Sequence, residues 1–272
     1  MRNMEIKGLR FILILSVLAV SVSLALSGCS TLGSAMSNAL GKQAASNATS
    51  SQPSDTSSGS GSTAKAPSPA AAQAYQYQFN AFYGGFWNFG WFGYKDPNYK
   101  PGQGTVWKIT STGAKSNEPI TFERALLKVN ADGSQWWRFQ MTTDKHTILY
   151  EFLVGSDGIA KKVRYKDPES GQIGEFIPTQ SGTQPTAPQV SREEIASSFV
   201  GSESVTVPAG TFTADHYRYT DPKSGYTSDI WSSKQVPGYM VKFTGTNPKD
   251  NRAANGQLIQ IESGVTTALS SF

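Results

Sequence analysis

The sequence predicts a mainly β fold of the α+β class, in which an antiparallel sheet with one or two helices follows a disordered tether. Three observations lead to this prediction. From Gly104 onward, β-branched and aromatic runs alternate with turns that contain Asp-Gly or Gly, at intervals of about ten residues. Residues 30–67 consist mostly of Ser, Ala, Gly and Thr, a composition that cannot form a core. Between these regions, aromatic residues recur at helical spacing.

Residues 104–272 are predicted to form the antiparallel β domain. A linker-like break lies between Pro178 and Pro188, and the capping box at residues 191–194 then predicts a short helix over about 191–199. The expected strands lie in TVWKITST, ITFERALLKVN, SQWWRFQM, TILYEFLV, IAKKVRY and QIGEFI before the break, and in ESVTVPAGTFTADHYRYTDPKSGYTSDIWSSKQVPGYMVKF and QLIQIES after it.

Residues 68–103 are predicted to hold a helix and a glycine- and aromatic-rich segment. Ser68 can cap a helix, and Pro69 suits the first helical position because its missing N–H would have no partner there. Gly84-Gly85 is expected to end the helix, since glycine adopts the left-handed conformation that helix ends favour. A strand is the alternative, because YQYQF also alternates. The residues at helical spacing are Tyr75, Phe79, Phe82 and Tyr83.

The N-terminus has the layout of a secretory signal peptide. Arg2, Lys7 and Arg10 supply positive charge, and an apolar run from Phe11 to Leu26 follows them. This run is shorter than the length that a typical membrane-spanning helix needs. We therefore expect the chain to be exported and the run to be removed.

The apolar run ends in Leu26-Ser27-Gly28-Cys29, which resembles the bacterial lipobox. The resemblance implies that a lipoprotein-specific signal peptidase reads Leu26, Ser27 and Gly28, and that Cys29 is diacylglyceryl-modified and becomes the new N-terminus. Ser30, at the next position, implies sorting to the outer membrane. Cys29 is the only cysteine of the chain, and acylation explains its presence in an exported protein. The alternative is an ordinary signal peptide with an incidental cysteine.

On this interpretation, residues 1–28 are the signal peptide and residues 29–67 are a lipidated, disordered tether. The acyl chains, palmitate among them, hold the protein on the outer membrane, where we expect it to face the periplasm. About 40 flexible residues have a root-mean-square reach of roughly 35 Å, so the folded part can stand off the membrane or lie on it. The formal net charge is +4 without a run of like charges, so nucleic acid is not an expected partner.

The segment SVTVPAGTFTADHYRY, followed by DIWSSKQVPGYMVKF, resembles a hairpin pair of the bacterial lipoprotein-carrier (LolA/LolB-type) superfamily. In that superfamily, one curved antiparallel sheet wraps around helices as an open half-barrel. The resemblance implies the same half-barrel here, with an apolar concavity suited to acyl chains and without catalytic residues. This chain is longer than the carriers and is itself anchored, which excludes a soluble shuttle role. The matching positions are Pro208, Gly210, Phe212, Trp231, Pro237, Gly238 and Lys242.

No sequence pattern indicates catalysis. The two histidines, His146 and His216, do not accompany a Gly-x-Ser-x-Gly elbow, and they do not form a pair at helical spacing. No glycine loop has the spacing that cradles phosphate. A pair of carboxylates such as Glu151 and Glu175 could serve a glycosidase-type reaction, and spacing alone does not exclude this alternative, although no sequence feature distinguishes the pair. We therefore predict a protein that is not an enzyme, without a metal and without a cofactor.

The stretch from Tyr83 to Tyr94, YGGFWNFGWFGY, is called the aromatic segment; seven of its twelve residues are aromatic and four are glycine. So many exposed aromatic rings would exceed the usual size of an apolar surface patch, so the segment must be covered. We expect it to plug the concavity; contact with the membrane interface or with a protein partner is the alternative. Separately, adjacency in a strand predicts that Trp136 and Trp137 point to opposite faces.

Two functional hypotheses follow. The first is an envelope protein that binds an apolar or amphiphilic ligand, a lipid or a lipoprotein, in the half-barrel. The second is a non-enzymatic structural or interaction module that docks onto an envelope protein complex through the aromatic segment. In either case the expected ligand or docking residues are Phe79, Phe86, Trp87, Trp91 and Phe92.

Overall fold

The computed structural model describes residues 69–88, 98–113, 118–144, 147–167, 171–178, 196–222, 224–249 and 251–269. These residues form a long helix and an 11-stranded sheet. The elements are α1 (Pro69–Asn88), β1 (Gln103–Thr112), β2 (Ile120–Val129), β3 (Gln135–Thr142), β4 (Thr147–Val154), β5 (Ala160–Lys166), β6 (Ile173–Phe176), β7 (Phe199–Val207), β8 (Gly210–Thr220), β9 (Thr227–Ser232), β10 (Met240–Asn247) and β11 (Arg252–Glu262).

The sheet is open, with the order β6-β5-β4-β3-β2-β1-β11-β10-β9-β8-β7, and its neighbouring strands are antiparallel. Two meanders, β1–β6 and β7–β11, therefore meet at the β1–β11 pair, and β6 and β7 are the edges. At the β7 end, the backbone N–H of Ala209 donates to the carbonyl oxygen of Leu258 on β11 (3.2 Å), so the β7–β8 turn folds back across the sheet. The predicted fold class, a mainly β protein with a curved, open antiparallel sheet, is confirmed.

Most strands lie where hydrophobic alternation and turn chemistry predict them, but β7 begins at Phe199, before the predicted ESVTV, and β11 begins at Arg252, before the predicted QLIQIES. Two Asp-Pro sequences begin hairpin turns, because the N–H of Asp167 donates to the carbonyl oxygen of Gln172 and that of Asp221 to the carbonyl oxygen of Tyr226, both at 2.8 Å. β8 alternates between buried and more exposed residues along part of its length, which fixes its register. β1 to β4 instead each contain four consecutive buried residues, so both faces of the sheet are covered there.

The helices differ from the prediction in their bounds. α1 begins at Pro69 but continues through Gly84-Gly85 to Asn88, so the predicted end at the double glycine is wrong. Residues 196–198 are helical and Phe199 already begins β7, while residues 191–195 and the linker before them lie outside the described part. Within the part of the chain that the structure describes, no helix combines the length and the apolar character that a membrane crossing requires.

A glycine allows close packing between β10 and β11. The ring of Phe243 lies over Gly256, its cross-strand partner, and a Cβ atom at Gly256 would overlap this ring. Phe243 is itself buried, so its ring cannot move into solvent.

We expect Gly256→Val to lower the free energy of unfolding by about 1–3 kcal/mol, because overpacking forces side chains and backbone out of place. Urea denaturation followed by circular dichroism measures this loss. Thr246→Val, at an exposed position of β10, is the control and should change the free energy by no more than about 0.5 kcal/mol. Equal midpoints for the two variants would contradict the prediction.

Candidate functional site

α1 covers the sheet over β3 to β6, and the face of the sheet that it contacts is called the helix face. The ring of Tyr75 stacks on that of Tyr165 on β5, with 4.1 Å between the ring centroids. One turn further, Phe79 lies edge-on to Tyr150 and Phe152 of β4, at 5.6 and 5.4 Å. The contact is therefore made largely by aromatic rings, which pack favourably in edge-to-face arrangements.

The C-terminal half of α1 continues this packing. Phe86 is 1% exposed and lies edge-on to Phe152 and Trp137, with centroids 5.0 and 5.7 Å away. Phe82 stacks on Phe139 of β3 at 5.2 Å. The start of the aromatic segment thus lies inside the core, between the helix and the sheet.

The structure therefore brings together two of the five predicted ligand or docking residues, Phe79 and Phe86, which are both buried. The side chain of Trp87, and all of Trp91 and Phe92, lie outside the described residues. The lipobox residues Leu26, Ser27 and Gly28, with Cys29 and Ser30, lie outside them as well.

A buried arginine joins α1 to β2 on the helix face. Arg124 is 1% exposed, and its Nη1 donates to the carbonyl oxygen of Phe86 (2.9 Å) while its Nε donates to the hydroxyl of Tyr99 (3.2 Å). Its guanidinium also lies 5.3–5.4 Å from the ring centroids of Phe86, Tyr99 and Trp107. Ring faces and a helix carbonyl both stabilise a cation, so this arginine holds the last turns of α1 on the sheet.

Tyrosine hydroxyls supply further polar contacts along α1. The hydroxyl of Tyr150 donates to Oε1 of Gln78 (2.5 Å), and that of Tyr83 donates to the carbonyl oxygen of Gly158 (3.0 Å). Burial raises the pKa of Tyr150 well above its ordinary value, and the neighbouring Tyr75 and Tyr165 add to this shift. The Tyr150 hydroxyl therefore stays protonated and remains a donor to the helix.

The adjacent tryptophans of β3 point to opposite faces, and both are buried. Trp137 is fully buried on the helix face, whereas Trp136 packs with Ala125 and Leu127 on the other side. Val265, beyond the end of β11, packs against this second cluster. The face opposite the helix is therefore covered in this region as well.

Charged side chains on the face opposite the helix were not predicted as a site. Glu151 is fully buried, and its Oε1 accepts from Nη2 of Arg138 (3.1 Å). Nη1 of Arg138 also bonds Oε1 of Glu123 (3.2 Å), and Arg164 lies 4.0 Å from Glu151. Glu175, the other carboxylate named as a possible pair, forms an exposed ion pair with Lys162 instead (2.8 Å).

His216 lies on the same opposite face, on β8, while His146 lies outside the described residues. Its Nε2 is 2.6 Å from Oδ1 of Asp229, and its ring stacks on Trp231 with 4.5 Å between centroids. The ring of Trp231 also contacts Nζ of Lys242, 4.7 Å from the centroid. His216 is therefore held in place between a carboxylate and an indole.

The glycines of the lipoprotein-carrier resemblance form turns. Gly210, with φ 140°, follows the β7–β8 turn, and Gly238, with φ 75°, lies in the β9–β10 turn. A Cβ atom at Gly238 would also collide with Arg124 and Tyr99. The β9–β10 turn therefore packs against the arginine that holds α1.

No protein-family model and no curated protein matches the chain. Among solved structures, it is similar to a chain of the MucA/MucB complex of Pseudomonas aeruginosa, with 17% identity, a TM-score of 0.38, and coverage of 61% of this chain and 53% of that one. This chain thus spans about half the length of that protein. It is also similar to a DUF1329 family protein from Desulfovibrio piger, with 10% identity, 62% and 87% coverage and a TM-score of 0.29. A third similar structure is a candidate outer-membrane lipoprotein-sorting protein domain from Vibrio parahaemolyticus. It has 10% identity, coverage of 62% of this chain and 87% of that one, and a TM-score of 0.27.

Proposed function

We propose that the chain is a lipid-anchored protein of the cell envelope that binds an apolar or amphiphilic ligand on the helix face of its sheet, with α1 as the cover of the site. The lipobox resemblance at Cys29 supports the anchor, and Ser30 supports the outer membrane as the destination. The expected ligand is a lipid or the acyl part of a lipoprotein. The proposed role is binding, without catalysis, metal or cofactor.

One observation carries the ligand proposal: the contact between α1 and the sheet is made by aromatic rings. Phe79 and Phe86 fill the space over β3 and β4 through dispersion and ring-edge contacts. Dispersion does not depend on a specific ring geometry, so an acyl chain could occupy the same surface. Each methylene buried there would contribute about 0.8 kcal/mol. Ligand and α1 would therefore compete for one aromatic surface.

The test uses the chain from Ser30 onward and a fatty acid brominated on its chain, which quenches nearby tryptophan. We expect saturable quenching, because Trp137 lies directly beneath Phe86. Phe79→Ala should bind the fatty acid more tightly than the parent, since weaker helix packing raises the fraction of chains with the surface open. Tyr77→Ala, at a position of α1 that is 67% exposed, is the matched control and should bind as the parent does.

Two results would count against the proposal. Equal affinity of the parent and Phe79→Ala would show that α1 does not cover the site. A parent that remains ligand-free in native mass spectrometry but self-associates would favour the interaction-module hypothesis instead. Trp137→Phe is expected to lose much of the quenching while it keeps the affinity, which separates binding at the helix face from adsorption elsewhere.

The anchor has its own test. We expect Cys29→Ala to abolish acylation, so that the protein no longer incorporates labelled palmitate and is processed differently at the signal peptide. As the control, mass spectrometry of the parent should show an N-terminal cysteine and the added mass of its acyl chains. Incorporation of label into Cys29→Ala would contradict the lipobox assignment, because Cys29 is the only cysteine.

A further inference from the structure

We propose that the face opposite the helix carries a binding groove for a short peptide segment of a partner protein, and that residues 264–269 of this chain occupy the groove in cis. These residues, called the strap, follow β11 and cross β2, β3, β4 and β5 in that order. Their path begins where the N–H of Val265 donates to the carbonyl oxygen of Gly102 (2.9 Å). This surface is separate from the proposed ligand site, which lies on the helix face.

Three charged side chains of the sheet, called the cradle, bind the main chain of the strap. Each lies on a different strand, and together they bond two carbonyl oxygens and one N–H. Main-chain groups are the same in every peptide, so this recognition does not depend on the sequence of the strap. The bonds run from Arg138 Nη2 to the oxygen of Thr266, from the N–H of Ala268 to Oε1 of Glu151 (2.7 Å), and from Arg164 Nη2 to the oxygen of Leu269.

Alternate side chains of the strap supply selectivity. Leu269 is fully buried, and Val265 packs against the cluster around Trp136. Between them, the hydroxyl of Thr267 donates to Oε2 of Glu151 (2.6 Å). The groove therefore fits a peptide with apolar residues four positions apart and a hydroxyl midway. We infer a partner segment of this pattern, in a conformation that is neither helix nor strand.

The chemistry of the cradle makes the strap exchangeable. Glu151, Arg138 and Arg164 are 0%, 8% and 4% exposed beneath it, and charged groups of this kind hydrate strongly once uncovered. Nε of Arg138 is buried without a hydrogen-bond acceptor among the described residues, so the covered state leaves one donor unsatisfied. Water can satisfy that donor when the strap leaves.

The experiment measures binding of a fluorescein-labelled peptide with the sequence of residues 263–270, SGVTTALS, to the complete mature chain by fluorescence anisotropy. Val265→Ser with Leu269→Ser weakens the strap in cis and leaves the cradle unchanged. We expect this double variant to bind the peptide at least tenfold more tightly than the wild type, whose strap competes. A labelled peptide with serine in place of its valine and leucine should bind at least tenfold more weakly.

Glu151→Gln in the weakened-strap background tests the cradle, and Glu175→Gln on β6 is the matched control. We expect the former to lose binding and the latter to retain it. Three results would overturn the proposal: a folded double variant that does not bind the peptide, binding that Glu151→Gln leaves unchanged, or exchange of straps between two copies into a stable dimer.

Hydrogen exchange of the wild type keeps the test valid even if the double variant fails to fold. The amide of Ala268 should exchange at least tenfold faster than the central amides of β4, because the strap opens without unfolding of the sheet. Excess unlabelled peptide should accelerate this exchange further by trapping the open state. Exchange of Ala268 only at the rate of global unfolding would overturn the proposal.

Discussion

Glu151→Ala is expected to lower the free energy of unfolding by about 3–5 kcal/mol, the cost typical of a buried ion pair that loses one partner. Both carboxylate oxygens of Glu151 are engaged, by Arg138, by the hydroxyl of Thr267 and by the N–H of Ala268. Removal of the carboxylate takes one of two counter-charges from the guanidinium of Arg138 beneath the strap and leaves only Glu123, and it also removes the carboxylate that lies 4.0 Å from Arg164. The loss should appear as a lower urea midpoint with an unchanged slope.

Glu175→Ala provides the matched comparison for Glu151→Ala. Its carboxylate pairs with Lys162 at 2.8 Å, but both side chains are about half exposed, so solvent screens the pair. Exposed pairs contribute about 0–1 kcal/mol, and we expect a loss within this range. A loss of less than about 1 kcal/mol for Glu151→Ala would mean that water reaches the cradle and that the strap contributes little to its burial.

The sheet could be predicted from the sequence because its determinants are local. Alternation within a strand and turn residues between strands act over a few positions, and each strand pairs with its neighbour in sequence, except at the β1–β11 contact. The alternation in β2 also indicates a buried arginine. Arg124 shares its face with Phe122 and Leu126 in the segment ITFERALLKVN, which places an arginine among core residues.

The end of α1 could not be predicted from glycine alone. Each glycine in a helix costs about 1 kcal/mol relative to alanine, so Gly84-Gly85 weakens the last turns. Burial of Phe86 against the sheet stabilises the fold by about 1.5–3 kcal/mol, and the hydrogen bond from Arg124 to the carbonyl oxygen of Phe86 adds to this stabilisation. Tertiary packing thus outweighs the local preference for a helix end.

The cradle depends on contacts distant in sequence. Arg138, Glu151 and Arg164 are paired across β3, β4 and β5, yet their burial comes from residues more than 100 positions later, such as Leu269. An indication was present in Trp136, which alternation places on the same face as Arg138. A large aromatic residue beside charges on an outward face indicates that something covers that face.

Phe79→Ala is expected to lower the free energy of unfolding by about 3–5 kcal/mol, as is usual for removal of a buried phenylalanine ring. The ring is 2% exposed and contacts Tyr83, Tyr150, Phe152 and Phe176, on α1 and on two strands. Its removal leaves a cavity between the helix and the sheet that neighbouring rings can fill only in part.

Tyr77→Ala separates this packing effect from a change in helix propensity. Tyr77 lies two residues away on the exposed side of α1, and alanine is the better helix former, so we expect a change within about 0.5 kcal/mol. Urea denaturation measures both variants. The stability loss of Phe79→Ala and its expected gain in fatty-acid affinity share one cause, the weaker hold of α1 on the helix face. If Phe79→Ala is destabilised but binds fatty acid no better than Tyr77→Ala, then the helix is a structural part of the core and the ligand proposal fails.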